Sequence, residues 1–164
     1  MTKLIIKQAV EQLNTASQTA EQLRTMMNEA AYKLPEHPVV MAMKDVGKSL
    51  GPQLMAEIGD VSHFTHKGTI TAFAGVDPSI NESGSYEQKS VPASKRVSGT
   101  LRKTLFHVMD ALIKTKPQDD PVYLFMNKKR SQGKPYYVYM TASANKFLRI
   151  YYGRAKEYLS SLPK

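Results

Sequence analysis

Apolar residues near the start of the chain recur at steps of three and four. The stripe they form consists of Ile6, Ala9, Val10, Leu13, Ala16, Ala20, Leu23, Met27, Ala30 and Leu34. This spacing predicts one amphipathic helix of about nine turns, which Pro35 and Pro38 then end. A helix this long is either a coiled-coil arm that pairs with another chain or a helix packed on the domain, and the narrow stripe favours the arm.

The remaining apolar positions predict shorter helices separated by Gly- and Pro-containing connections. Residues 39–44 and 52–58 are expected to form two helices on either side of a turn, with Pro52 in the first turn of the second helix and Gly59 past its end. Further helices are expected at residues 65–73, at about 94–114, around 122–126 and at 138–159, with a long polar loop at 75–91. We therefore expect an all-α chain, with a helical linker or coiled-coil arm at residues 1–36 and a compact domain at 37–164.

Composition indicates a soluble intracellular protein. The 164 residues include no cysteine, which excludes disulfides and thiolate metal sites and agrees with a reducing compartment. No apolar run approaches the roughly 18 residues that a bilayer crossing needs, and the N-terminal apolar stretch is too short for a signal peptide. We expect a cytoplasmic location and no membrane partner.

The charge is unevenly distributed along the chain. The net charge is +9, and residues 89–164 hold sixteen basic side chains against four acidic ones, whereas the rest of the chain is neutral or acidic. Such an asymmetry favours a polyanionic partner, because each Lys or Arg that neutralises a phosphate releases condensed counterions. A merely basic, soluble surface remains the alternative.

The turn between the two predicted short helices is a candidate phosphate site. Gly47 and Gly51 permit a tight hairpin, and the next helix begins near Pro52 with unpaired backbone N–H groups. In a helix-hairpin-helix such amides hold a nucleic-acid backbone without reading bases, and Lys48 would add charge. An ordinary turn between helices explains the same residues equally well.

Other chemistry-bearing residues give weaker signals. His63 and His66 are three apart, but no third zinc ligand is evident, and the nearby acidic residues occupy ordinary capping and turn positions. Ser83 precedes Gly84 in a polar loop, where a nucleophilic role would need activation by nearby cations.

The C-terminal part of the chain combines tyrosines with basic residues. The tyrosines are Tyr136, Tyr137, Tyr139, Tyr151, Tyr152 and Tyr158. Aromatic and cationic groups together suit nucleic acid, although tyrosines at helical spacing more often pack in a core. Tyr152 is expected in the core, and the others are left open.

The order of several short motifs resembles a known family. The motifs are Gly47, Gly51-Pro52, Ala56-Glu57-Ile58-Gly59-Asp60, Phe64, Phe73-Ala74-Gly75-Val76-Asp77-Pro78, Ser83-Gly84, Ser94-Lys95-Arg96 and Leu101-Arg102. Together they resemble the C-terminal domain of the insertion-sequence 110/116/902 family of transposases, relatives of Piv-type DNA invertases. The resemblance covers about residues 38–160, and the preceding helix resembles the family's coiled-coil linker.

The resemblance implies DNA strand exchange guided by a bridging RNA, with a covalent serine–DNA intermediate. Ser83 aligns with the family serine, and Lys95, Arg96 and Arg102 become candidate phosphate contacts beside Gly47, Lys48 and Gly51. In the family, an upstream RNase H-like domain supplies four acidic residues that bind magnesium. This chain begins at the linker, so we expect a truncated or split copy with no cofactor of its own and no activity alone.

The resemblance is imperfect, and other classes of function compete with it. Where the family usually has a glycine and an asparagine after two basic residues, this chain has Val97 and Ser98. A non-catalytic nucleic-acid-binding module that dimerises through the N-terminal helix is the first alternative. A purely structural helical adaptor is the second.

Overall fold

A computed structural model describes residues 2–77 and 99–163. These residues form seven α-helices and one short 3₁₀ turn, and they contain no β-strand. The predicted all-α class is therefore confirmed. None of these helices combines the length and the apolar character that crossing a membrane requires.

Helix α1 (Thr2–Tyr32) projects from the rest of the domain. It is 31 residues long, and Ala31 in its last turn is its one buried residue. The helix contacts α3 (Leu50–Ile58), while large apolar side chains along its length, such as Leu13 and Leu23, stay exposed. In the single chain, α1 packs on the domain only through its last turns. Pairing of the exposed stripe with another chain stays a prediction.

The next two helices begin earlier than their apolar residues suggest. Helix α2 (His37–Met41) has Pro38 in its first turn, where a missing N–H costs nothing. Helix α3 begins at Leu50, two residues before Pro52, because the Gly51 N–H already donates to the Gly47 carbonyl at 2.9 Å. Pro52 in the first turn of α3 and Gly59 past its end are confirmed.

A 3₁₀ turn and helix α4 (Lys67–Phe73) follow α3. The 3₁₀ turn spans Val61–His63, and the sequence pattern did not predict it. Asp60 caps the turn, since its carboxylate accepts hydrogen bonds from the Ser62 N–H and hydroxyl, both at 2.7 Å. Helix α4 begins two residues after the predicted start because His66 is its N-cap.

Three longer helices complete the chain. They are α5 (Gly99–Thr115), α6 (Pro121–Ser131) and α7 (Tyr136–Ser161). The predicted start of α5 near residue 94 lies outside the described residues. Asp120 caps α6 by accepting hydrogen bonds from the Val122 and Tyr123 N–H groups, and this cap with Pro121 places the start of the helix.

The core surrounds α7. This helix contacts α2, α4, α5 and α6, and it buries Met140, Ala144, Phe147, Leu148, Tyr151 and Ala155. Helix α5 supplies the facing layer through Leu101, Leu105, Val108, Met109 and Leu112. Tyr152, which was expected in the core, packs against it but is half-buried. Tyr151, which was left open, lies fully in the core. The Tyr152 hydroxyl donates to the Phe64 carbonyl at 3.0 Å.

Gly59 provides a test of the connection after α3. Its φ of 68° and ψ of −152° lie in a region that almost only glycine occupies, so Gly59→Ala should lower the free energy of unfolding by about 1–3 kcal/mol. Urea unfolding of the whole chain measures this change. Gly47 is a matched control because it is also exposed, has no positive φ, and leaves open space where a Cβ would go. Equal effects of Gly59→Ala and Gly47→Ala would contradict the backbone explanation.

Candidate nucleic-acid interface

The turn between α2 and α3 has one open side and one packed side. Gly47, Lys48 and Ser49 are exposed, whereas Val46, Gly51 and Pro52 are buried. A Cβ on Gly47 would meet no atom within 4 Å, but one on Gly51 would lie 2.7 Å from the Met41 sulfur. The second glycine therefore permits close approach of α2 to α3. The backbone available to a ligand from solvent is that of residues 47–49.

Two polar contacts fix this turn against distant parts of the chain. Asp45 adopts a φ of 59°, which is uncommon for a residue with a side chain, and its carboxylate accepts a 2.6 Å hydrogen bond from the Thr115 hydroxyl. Lys44 pairs with Asp119 at 3.1 Å, and the hydrogen bond from Lys44 is the main reason that the pKa of Asp119 is lowered. The turn is thereby held beside the end of α5.

Lys48 is the basic residue of this turn that remains available. It is exposed, and none of the ion pairs among the described residues includes it. A phosphate at the turn would meet this ammonium group together with the exposed backbone of Gly47 and Ser49. Contacts of Gly47, Lys48 and Gly51 with DNA stay predictions, and for Gly51 helix packing supplies a separate reason for the glycine.

Arg102 lies in the first turns of α5 and is half-buried. Its Nη1 atom is shielded from solvent and has no hydrogen-bond partner among the described residues. Burying a guanidinium N–H without an acceptor is costly, so an anion at this position would relieve that cost. Contact of Arg102 with a phosphate stays a prediction, because the structure shields this atom from solvent.

Ser83, Lys95 and Arg96 lie outside the described residues. The residues on either side of the segment that carries them are described, and the core begins close to each end. Val76 is buried and its carbonyl accepts a 3.2 Å hydrogen bond from the Asn145 side chain of α7, while Leu101 of α5 is fully buried. Residues 78–98 thus connect the residues held beside α7 to the start of α5.

The histidines and carboxylates near α4 have structural roles. The His66 Nδ1 atom accepts the Gly68 N–H at 3.0 Å and caps α4, and His63 lies 3.6 Å from Asp60. The pKa of Asp60 is lowered, first by the hydrogen bond from the Ser62 hydroxyl and then by the Ser62 N–H. In residues 2–77 and 99–163, no group of three or more metal-ligating side chains comes together. The described residues therefore do not fit a magnesium or zinc site.

The end of the domain formed by α6 and α7 gathers aromatic and basic side chains that did not enter the predicted site. The Lys129 and Lys146 ammonium groups lie 5.5 and 4.8 Å from the centre of the Phe125 ring, and the Arg130 guanidinium lies 5.8 Å from that of Tyr139. One sequence signal was available: residues 121–156 contain eight basic residues and no acidic one.

The observations so far define a class: a basic, all-helical domain with exposed cations at a helix–helix turn and at one end. Comparison with protein families identifies it further. The family described as Transposase IS116/IS110/IS902 matches residues 37–124, which is more than half of the chain. The chain therefore belongs to the IS116/IS110/IS902 transposase family, and the resemblance noted in the sequence is confirmed. No curated protein matches the chain.

Membership places the chain in DNA transposition and recombination, and a transposase acts on DNA. The matched region begins with α2 and ends within α6. It includes the α2–α3 turn and Arg102, together with the segment that carries Ser83. Helix α1 and most of the basic C-terminal part lie outside it.

Lys48 supplies a test of the α2–α3 turn. If it neutralises one phosphate, Lys48→Ala should reduce the slope of log affinity against log salt by about 0.9 for duplex DNA. Fluorescence anisotropy over a series of salt concentrations measures the slope. Lys3→Ala on the exposed first turn of α1 makes the same charge change far along the arm and should leave the slope unchanged. An unchanged slope for Lys48→Ala, or equal changes for both variants, would remove Lys48 from the interface.

Proposed function

We propose that this chain is the C-terminal, DNA-binding and serine-bearing domain of an IS116/IS110/IS902 family transposase. The observation that carries the proposal is the family match over residues 37–124, because that region includes Ser83, Lys95, Arg96 and Arg102. The basic charge of residues 89–164 supports a DNA partner. A bridging guide RNA is the second partner that the family resemblance implies.

The proposed reaction is a phosphoryl transfer to Ser83. The serine oxygen forms a bond to a DNA phosphorus atom, the bond from phosphorus to one strand oxygen breaks, and the serine proton goes to that leaving oxygen. Arg102, Lys95 and Arg96 would balance the charge that develops on the phosphate. A preorganised cation is effective here because it need not rearrange as the charge forms. The half-buried Arg102 guanidinium supports this role.

Magnesium enters the proposal through the family resemblance, which implies ligands in an RNase H-like domain. The described residues contain no cluster that would hold a metal ion, so no step of the proposed reaction by this chain is routed through one. We take the acidic ligands to belong to a separate RNase H-like domain, as the family resemblance implies. The 164 residues alone are then expected to bind DNA without exchanging strands.

The serine assignment predicts a covalent protein–DNA adduct. The chain is mixed with labelled duplex DNA, magnesium and the RNase H-like domain of a full-length transposase of this family, and the products are separated on a denaturing gel. A labelled band at the mass of this chain plus DNA is expected, and Ser83→Ala should abolish it. Ser85→Ala is the matched control, because it removes a hydroxyl two residues away, and should retain the band. An adduct that survives Ser83→Ala would reject the assignment.

We further propose that the chain forms a homo-oligomer through α1. Ile6, Leu13, Ala20 and Met27 are each seven residues apart, which is the repeat of a coiled-coil seam. Leu13 is 65% exposed and Leu23 59% exposed, so the single chain leaves this face in water. Pairing two such faces would bury both stripes.

A charge placed in the stripe tests this association. Leu13→Lys should weaken self-association by at least about 2 kcal/mol, since it would bury an unpaired ammonium group in the seam. Sedimentation equilibrium of the whole chain measures the association constant. Gln18→Lys introduces the same side chain on the opposite side of the helix and should have little effect. A wild-type chain that is monomeric at all concentrations would reject the oligomer.

A non-catalytic nucleic-acid-binding helical module is the second candidate function. The observation that favours it is the set of exposed cations at described positions, which need no serine chemistry to bind phosphates. Salt-dependent binding of DNA or RNA with no adduct in the presence of the acidic domain would support this module over the transposase domain.

A further inference from the structure

The turn from α6 to α7 places six aromatic and basic residues at one end of the domain. We call them the aromatic–basic cluster: Lys129, Arg130, Lys134, Tyr136, Tyr137 and Tyr139. The whole family match lies before them, since it ends at residue 124. We propose that this cluster binds single-stranded nucleic acid, with an unpaired base stacked on Tyr137 and phosphates held by Lys129, Arg130 and Lys134.

The backbone of the turn is fixed by a glycine-dependent helix end. Gly133 has a φ of 71°, its N–H donates to the Arg130 carbonyl at 2.9 Å, and the Lys134 N–H donates to the Lys129 carbonyl at 3.3 Å. These two bonds form a Schellman motif, which closes α6. Pro135 is the N-cap of α7, and its carbonyl accepts hydrogen bonds from the Val138 and Tyr139 N–H groups. Lys134 is therefore presented from a rigid connection.

The tyrosines form a supported platform. The Tyr136 ring centre lies 5.2 Å from that of Tyr137 and 5.5 Å from that of Tyr139, in both cases edge to face. The Tyr136 hydroxyl donates to the Asp110 carboxylate of α5 at 3.1 Å. Tyr136 is thus anchored to the domain, and it holds Tyr137 from one side.

Tyr137 contacts the Tyr136 ring on one side, but most of its surface lies in water. It is 72% exposed, on the first turn of α7, beside a run of cations. Exposure of the apolar ring face to water is unfavourable. A base stacked on the ring would remove this face from water. In a duplex, adjacent bases cover both faces of each base, whereas an unpaired nucleotide can expose one face. The ring therefore selects unpaired nucleotides over a duplex.

The dipole of α6 explains only part of the positive charge at this end of the domain. Lys128, Lys129 and Arg130 in the last turn of α6 complement the negative end of the helix dipole. The dipole does not account for Lys134 beyond the helix or for Lys146 on α7. Residues 121–156 contain no acidic side chain, and Asp110, which faces the cluster from α5, is engaged by Tyr136. The cluster therefore presents a positive field to a phosphate chain.

The proposal rests on the nucleic-acid role proposed above, but it concerns a different surface from the α2–α3 turn and Arg102. The ligand chemistry is an unpaired base with a flanking phosphate, which single-stranded DNA and single-stranded RNA share. The two differ in the 2′-hydroxyl, so parallel measurements with both oligonucleotides identify the source.

The first experiment measures anisotropy of labelled oligonucleotides of about 20 nucleotides, longer than the roughly 4–16 that a single-strand site occupies. Single-stranded DNA, single-stranded RNA and duplex DNA of one sequence are titrated with the whole chain. Tyr137→Ala should weaken single-strand binding about tenfold, equivalent to about 1.4 kcal/mol, and should leave duplex binding unchanged. Tyr137→Phe, which retains the ring, should bind as the wild type does.

Tyr32→Ala is the matched control, because Tyr32 is 76% exposed and lies at the end of α1 with one edge contact to His37. It should leave single-strand binding unchanged. Lys134→Ala should lower the slope of log affinity against log salt by about 0.7 for single strands.

The outcomes separate this proposal from the nucleic-acid role proposed above. Duplex binding with no effect of Tyr137→Ala on single strands overturns this one alone. No binding of any nucleic acid overturns both.

A second measurement does not depend on a variant. Photocrosslinking of a single strand carrying 5-bromouracil, followed by mass spectrometry, should place the adduct on the peptide that contains Tyr136 and Tyr137. Adducts confined to peptides from α1 to α5 would overturn the proposal.

Discussion

Burial of one face of α7 is the constraint on which the rest of the domain depends. Four other helices contact α7, and side chains such as Phe147 and Leu148 each contribute roughly 1.5–3 kcal/mol by leaving water. The packing is tight enough to bury the Tyr151 hydroxyl without a hydrogen-bond partner among the described residues, and burial, followed by the nearby Glu36 charge, raises the pKa of Tyr151. The free energy gained by burying the Tyr151 ring therefore exceeds the cost of its unpaired hydroxyl.

Local pattern was enough to predict the helices, because each carries apolar residues at a helical period, including α1, whose apolar face stays exposed in the single chain. Helix starts were less certain, since capping decides them: His66 for α4 and Asp120 for α6. A single sequence does not predict contacts between residues far apart in the chain. The hydrogen bond from Thr115 to Asp45 joins residues 70 positions apart, and it sets where the α2–α3 turn lies.

The candidate site illustrates the same limit at single positions. Gly47 and Gly51 are the same residue type four positions apart, yet one faces open space and the other a methionine sulfur. Tyr151 and Tyr152 are adjacent, and their roles differ because successive helix positions point about 100° apart. The aromatic–basic cluster escaped the predicted site because the contact of Arg130 with Tyr139 joins α6 to α7, and a sequence signals the basic residues and the tyrosines but not their pairing.

Helix α7 also connects the aromatic–basic cluster to the residues that follow α4. Tyr136 lies in its first turn, and Asn145, nine residues later, donates to the carbonyl of Val76, two residues before the segment that carries Ser83. At 1.5 Å per residue these positions are about 14 Å apart along the axis, a span of a few nucleotides. One rigid element therefore fixes the distance between the aromatic–basic cluster and the base of that segment.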